Sequence, residues 1–109
     1  MARQLILLPR FKRDYHFARK HPEFEPETLE YVFDVMVAGG ALPDAFREHS
    51  LDKRSTNWAG MTECHLGADL LLIYRVRQDA VIFHRIGTHE QLFSRKPRRR
   101  VTPRVRKPK

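Results

Sequence analysis

This chain has almost no cysteine, no long apolar run and no glycine-rich loop, and each lack removes a class of protein. One cysteine, Cys64, in 109 residues allows no internal disulfide, so nothing here calls for an oxidising compartment. Near the start only "LILLP" is continuously apolar before charges return, too short for a signal-peptide core or a membrane span. The expectation is a cytoplasmic protein with no membrane contact. Internal repeats are missing. No phosphate-cradling glycine loop and no nucleophile elbow occurs, which weighs against nucleotide hydrolysis and acyl transfer. No closely spaced His or Cys pair lies on a helix face, and Cys64 alternates away from His65, so neither a metal site nor any other cofactor is expected.

Acidic residues are missing from one place only. The last stretch, "SRKPRRRVTPRVRKPK" (94–109), holds 9 of the 21 Lys and Arg and no acid. Residues 1–93 therefore carry 12 basic against 13 acidic groups, and the net charge of +8 belongs to the tail. Broken by Pro97, Pro103 and Pro108, that tail cannot bury enough apolar surface to fold alone. It reads as a disordered, RNA-attracting extension of one domain spanning 1–93, or as an incidental addition.

Within that domain, "QLILL" (4–8) predicts a strand. Phe11, Tyr15 and Ala18 recur at helical spacing over 10–20, and Pro22 stops that helix. "EPETLEYVFDVMVAGG" predicts a second helix, with Pro26 near its start, acids in its first turn, a stripe of Leu29, Val32, Phe33, Met36 and Val37, and Gly39–Gly40 at its end. Residues 41–56 show little periodicity and read as a surface connection. Three strands follow at 57–66, 69–77 and 80–86, joined by short turns as an antiparallel meander. The expected fold is α+β: strand, helix, helix, three strands, a small mainly antiparallel sheet against a helical hairpin.

Several polar residues fit poorly into that core. If the last three strands form a meander, His65 and Asp69 flank one turn, with Asp69 opening a strand beside Arg85, while His89 follows the final strand. His65, Asp69, Arg85 and His89 would meet at one sheet edge. His49 ends the long connection, and Phe93 closes the ordered part as either a core plug or a stacking ring. Histidines can exchange protons near neutral pH, and a guanidinium can fork onto phosphate, the equipment for acid–base chemistry on a phosphodiester. Plainer roles stand beside this one. Asp69 is an ordinary turn residue, His65 could cap the turn, Arg85 could be a rim partner of Asp69, and His16, His21 and His84 read as solvated or hydrogen-bonded. Trp58, Tyr74 and Phe83 read as core or sheet-face aromatics.

Three pieces in order, "H-x-L" at 49–51, "HLGADLLLIY" at 65–74 and "RIGTHEQLF" at 85–93, resemble the RelE/ParE superfamily of bacterial toxins, and within it the YafQ-like branch, over residues 4–93. Two departures are Leu70, where the branch often has an aromatic after the aspartate, and the long tail. The resemblance implies a type II toxin that enters the ribosomal A site and cuts mRNA by 2′-hydroxyl attack without a metal. It implies catalytic roles for His49, His65, Asp69, Arg85 and His89: His89 as general acid, Asp69 or His49 as base, His65 orienting or sharing protons, Arg85 on phosphate. Phe93 would stack on a base. Implied partners are a cognate antitoxin, the ribosome and mRNA, with operator DNA reached only through the antitoxin. The alternative is a ParE-like protein that inhibits DNA gyrase by binding alone.

Overall fold

The computed structural model describes residues 2–51 and 59–93. Its elements run β1 (Gln4–Leu7), α1 (Pro9–Ala18), α2 (Pro26–Ala38), a 3₁₀ turn (Asp44–Phe46), β2 (His49–Ser50), β3 (Thr62–His65), β4 (Leu71–Val76), β5 (Ala80–Gly87) and α3 (His89–Phe93). One five-stranded sheet has the order β1-β5-β4-β3-β2. β1 lies parallel to β5, and every other pairing is antiparallel. The α+β expectation, with a meander and β4 at the centre, holds.

α1 and α2 both start on proline, whose fixed φ suits the first turn and whose missing N–H is no loss there. α2 ends at Gly39, left-handed at φ 83°, a conformation that glycine adopts without strain. These two helices cover one sheet face. Phe11, Leu29, Val32 and Met36 meet Cys64, Leu72, Tyr74, Val81, Phe83 and Ile86 in the main core. Phe83 receives the edges of the Phe11 and Phe33 rings, with centroids 5.6 and 4.9 Å away. On the other face a smaller cluster joins Leu51, Met61, Leu71, Ile73 and Leu92, with Phe93 packed against it.

Three expectations about local structure change. First, the stretch read as a connection contains a 3₁₀ turn and the two-residue strand β2, whose hydrogen-bonded neighbour is β3. Two residues are too few to show a period. Second, the turn after β3 is longer than "GA". The backbone N–H groups of Leu66 and Gly67 both reach the Leu70 carbonyl, so Asp69 sits in the turn and does not open β4. Third, the chain after β5 forms a short helix. Thr88 Oγ1 accepts from the Gln91 N–H (3.2 Å), and Gln91 Oε1 accepts from the Thr88 N–H (3.0 Å), a capping box. A Cβ at position 87 would stand 2.6 Å from Gln91 Oε1, so any side chain there would displace this capping oxygen. Trp58 and the tail 94–109 lie outside the described residues, as does the start of the strand expected at 57–66.

An irregularity in β5 decides which face Arg85 joins. Tyr74 pairs with Phe83 but its neighbour Ile73 pairs with Arg85, leaving His84 as an extra residue. The bulge puts Phe83 in the helix-covered core and Arg85 in register with Ile73 of the opposite cluster, although strict alternation would put 83 and 85 together.

Candidate active site

The face not covered by α1 and α2 carries the proton-handling side chains. In register, His49 pairs with Glu63, Glu63 with Ile73, and Ile73 with Arg85, while His65 pairs with Leu71 one rung along. Glu63 and His65 are two apart on β3, so they share a face and leave Cys64 on the other. Cys64 is fully buried, and burial, reinforced by Glu48, pushes its thiol up to about 12. It is an inert core group.

The three histidines form a row. The His49 and His65 ring centroids are 6.1 Å apart, those of His65 and His89 6.0 Å, and those of His89 and Phe93 6.4 Å. α3 closes this row by bringing its first residue, His89, over the end of the sheet. Asp69 fixes that histidine twice, its Oδ1 lying 2.6 Å from His89 Nδ1 and 3.0 Å from the His89 backbone N–H. These two bonds, the backbone one foremost, hold the Asp69 carboxyl below the usual carboxylate range. The carboxylate accepts, so Nδ1 carries the proton and Nε2 of the half-exposed ring is left to meet a substrate. Glu23 steadies the same turn, its Oε1 accepting from the Asp69 N–H at 2.9 Å.

His65 has a different environment. Its side chain is 13% exposed, and burial lowers its pKa by disfavouring the imidazolium, against the pull of Glu63. Arg47, His89 and His49 lower it further. A cleft of about 330 Å³ opens beside it, lined by Thr28, Phe46, Arg47, His65, Leu66 and Gly67 among others. At the edge, His49 Nδ1 lies 2.8 Å from the Arg47 carbonyl oxygen and Nε2 lies 2.9 Å from Glu63 Oε1.

Of the six residues singled out in the sequence, His49, His65, Asp69, His89 and Phe93 come together. Arg85 shares their face, but its expected neighbour is wrong. It pairs with Asp14 of α1, Nε to Oδ2 at 2.5 Å and Nη2 to Oδ1 at 3.1 Å, and not with Asp69. β1 pairs with β5 only as far as Phe83, and beyond it Asp14 also accepts the Ile86 N–H at 3.2 Å. Glu63 was not singled out. Its spacing from His65 was the available signal, since an acid and a histidine two apart on a strand face the same way. The side chains of His49, Glu63 and His65, all on strands and not on a helix face, each present a metal-ligating atom, all within 4.8 Å of one another. Among the residues set aside, the His21 ring accepts from the Glu23 N–H at 3.0 Å.

Residues 3–94 match the family described as a bacterial toxin of type II toxin–antitoxin systems, YafQ. This chain belongs to that family. The mRNA interferase toxin YafQ of Escherichia coli strain B / BL21-DE3 is 29% identical over 84 residues, covering 76% of this chain and 87% of the relative. The E. coli YafQ structure in complex with DinJ superposes with a TM-score of 0.73 at 28% identity, over 84% of this chain and 99% of that one. A copper-bound mutant toxin from Helicobacter pylori gives 0.73 at 29% identity, over 85% and 100%. Among the described residues no helix is long and apolar enough to cross a membrane.

Proposed function

We propose that this YafQ-family chain is an mRNA interferase that cuts mRNA in the ribosomal A site, without a metal, by attack of the RNA's own 2′-hydroxyl. The observation that carries this reading is the approach of His65 and His89, with ring centroids 6.0 Å apart in contrasting environments. His65, its pKa lowered by burial, is neutral near pH 7 and can take the 2′ proton, with His49 beside it. The 2′ oxygen attacks the adjacent phosphorus in line, and the bond to the 5′ oxygen breaks. His89 Nε2 gives that oxygen a proton. The products are a 2′,3′-cyclic phosphate, or its 3′-phosphate hydrolysis product, and a 5′-hydroxyl.

Asp69 suits the orienting of His89 better than the role of base, because a carboxylate with a lowered pKa is a poorer proton acceptor. Arg85 keeps N–H donors beyond those used by Asp14 and would place them on the phosphate oxygens. Phe93 stacks on a base to align the attack. The relatives named as mRNA interferases favour this chemistry over gyrase binding within the wider RelE/ParE superfamily. The known complex of the E. coli relative with DinJ supports a cognate antitoxin as partner, through which operator DNA would be reached. Residues 94–109, outside the described part, would draw the nearly neutral domain to the polyanionic ribosome in a salt-dependent way.

Primer extension on a translated message with purified ribosomes tests the reading. Cleavage within codons that requires ribosomes and leaves cyclic or 3′-phosphate ends is expected. Intact mRNA, with DNA synthesis stopping before protein synthesis in induced cells, would overturn it.

A further inference from the structure

Asp69 and His89 each expose about half of their side chains, so packing alone does not hold the pair in place. Part of what holds them lies outside the sheet. The junction between α1 and α2, residues 19–25, carries Glu23, whose Oε1 accepts the Asp69 N–H at 2.9 Å across 46 positions of sequence. Glu23 is itself anchored. Its backbone N–H donates to His21 Nδ1 at 3.0 Å, and the ring of its neighbour Phe24 meets Tyr15 of α1 edge-on, with centroids 5.7 Å apart. The turn sits closely over the Glu23 side chain at Gly67, where a Cβ would stand 2.6 Å from Oε1 and 2.9 Å from the Glu23 Cβ. Gly67 lacks the positive φ that Gly39 and Gly60 adopt, so contact with Glu23, and not backbone conformation, favours glycine there.

We propose that Glu23 is a positioning residue for RNA cleavage, fixing the turn from which Asp69 aims His89; this rests on the nuclease reading above. The chain of bonds runs from Glu23 Oε1 to the Asp69 N–H, and from Asp69 Oδ1 to the Nδ1 and backbone N–H of His89. Glu23 gives no proton and touches no reacting atom. A turn released from it carries the Asp69 carboxylate away from Nδ1, and His89 then loses both its fixed tautomer and its aim. A shift of about 1 Å at a reacting group can cost about a hundredfold in rate. An acceptor oxygen is all that the turn requires of position 23, so an amide serves as well as a carboxylate.

Single-turnover primer extension on ribosome-bound message and an NMR titration of the Asp69 carboxyl, both on full chains checked for folding, test the proposal. In Glu23→Ala the cleavage rate at saturation should fall about tenfold or more, while the half-saturating concentration stays within about twofold of the parent. Glu23→Gln keeps the acceptor oxygen and should cleave within about threefold of the parent rate. Gly67→Ala retains Glu23 but crowds it off the turn, and should lose cleavage as Glu23→Ala does. The Asp69 carboxyl faces His89 of α3 and His21 of the junction, and its bonds to His89 hold it below the ordinary carboxylate range. Its midpoint should move up towards that of a model peptide in Glu23→Ala and Gly67→Ala, and stay low in Glu23→Gln. Parent-rate cleavage by a folded Glu23→Ala or Gly67→Ala chain, equal losses in the Ala and Gln variants of Glu23, or an Asp69 midpoint unmoved in Glu23→Ala overturns the proposal. A parent chain that never cleaves contradicts the nuclease reading instead, and leaves the Asp69 titration to judge whether Glu23 holds the pair.

Discussion

The two faces of the sheet differ in what they bury. Under α1 and α2 lies a continuous apolar layer in which Phe11, Phe33 and Tyr74 surround Phe83. The other face has only Leu51, Met61, Leu71, Ile73 and Leu92 to exclude water, and beside them stand a buried carboxylate and three histidines. The first face supplies most of the hydrophobic stabilisation, which scales with apolar area removed from water. The second uses that rigidity to hold proton-handling groups at fixed spacing. Stability and the proposed chemistry are thus separated by one layer of backbone, and alternation along β3 and β4 assigns each residue to one or the other.

Substitutions on each side should break this separation in different ways. The largest loss of stability is expected from Phe83→Ala, about 3–5 kcal/mol by chemical denaturation, as a cavity opens under both helices. Leu92→Ala should cost about 2–3 kcal/mol or more, and it should lower cleavage beyond what unfolding explains, because α3 carries His89. Cleavage measured well below the unfolding midpoint distinguishes the two effects. Asp14→Asn, which keeps the shape but removes the charge opposite Arg85, should destabilise by about 1–3 kcal/mol and change cleavage less than any histidine substitution.

The smallest effect concerns pH. The folded-state pKa of Asp69 lies below its ordinary value, so its bond to His89 contributes stability above the ordinary carboxylate range. That contribution disappears as pH falls through the lowered value. Asp69→Asn should therefore flatten the acid limb of the unfolding-midpoint profile. An NMR titration of the Asp69 carboxyl in the parent chain should place its midpoint below that of a model peptide.

How far the sequence disclosed all this depends on the range of the interaction. Helices and strands of several residues were legible, since their periods repeat. β2 was not, being two residues long. α3 carries a signal, Thr88 followed three residues later by Gln91, but five residues leave no apolar stripe to draw attention to it. The meander places His65, Asp69, Arg85 and His89 at one edge and the family resemblance adds His49; the structure brings the three histidines and Asp69 together, while Arg85 turns to Asp14. The spacing of Glu63 from His65 marks a shared face, but an acid on a strand ordinarily faces solvent, and its burial comes from the folded sheet, where β2 lies alongside. The Asp14–Arg85 pair joins residues 71 positions apart, and no spacing rule connects a helix to a strand at that distance. The bulge at His84 is equally silent in "AVIFHRIG", yet it determines the face that Arg85 occupies.

The histidine row on the uncovered face is proposed to cut RNA, and primer extension on a ribosome-translated message with His89→Ala isolates its contribution. A fall in cleavage of about a hundredfold or more is predicted, as expected for losing a general acid, with thermal unfolding and antitoxin binding unchanged. Cleavage at the parent rate by a folded His89→Ala chain would mean that this histidine is not the proton donor.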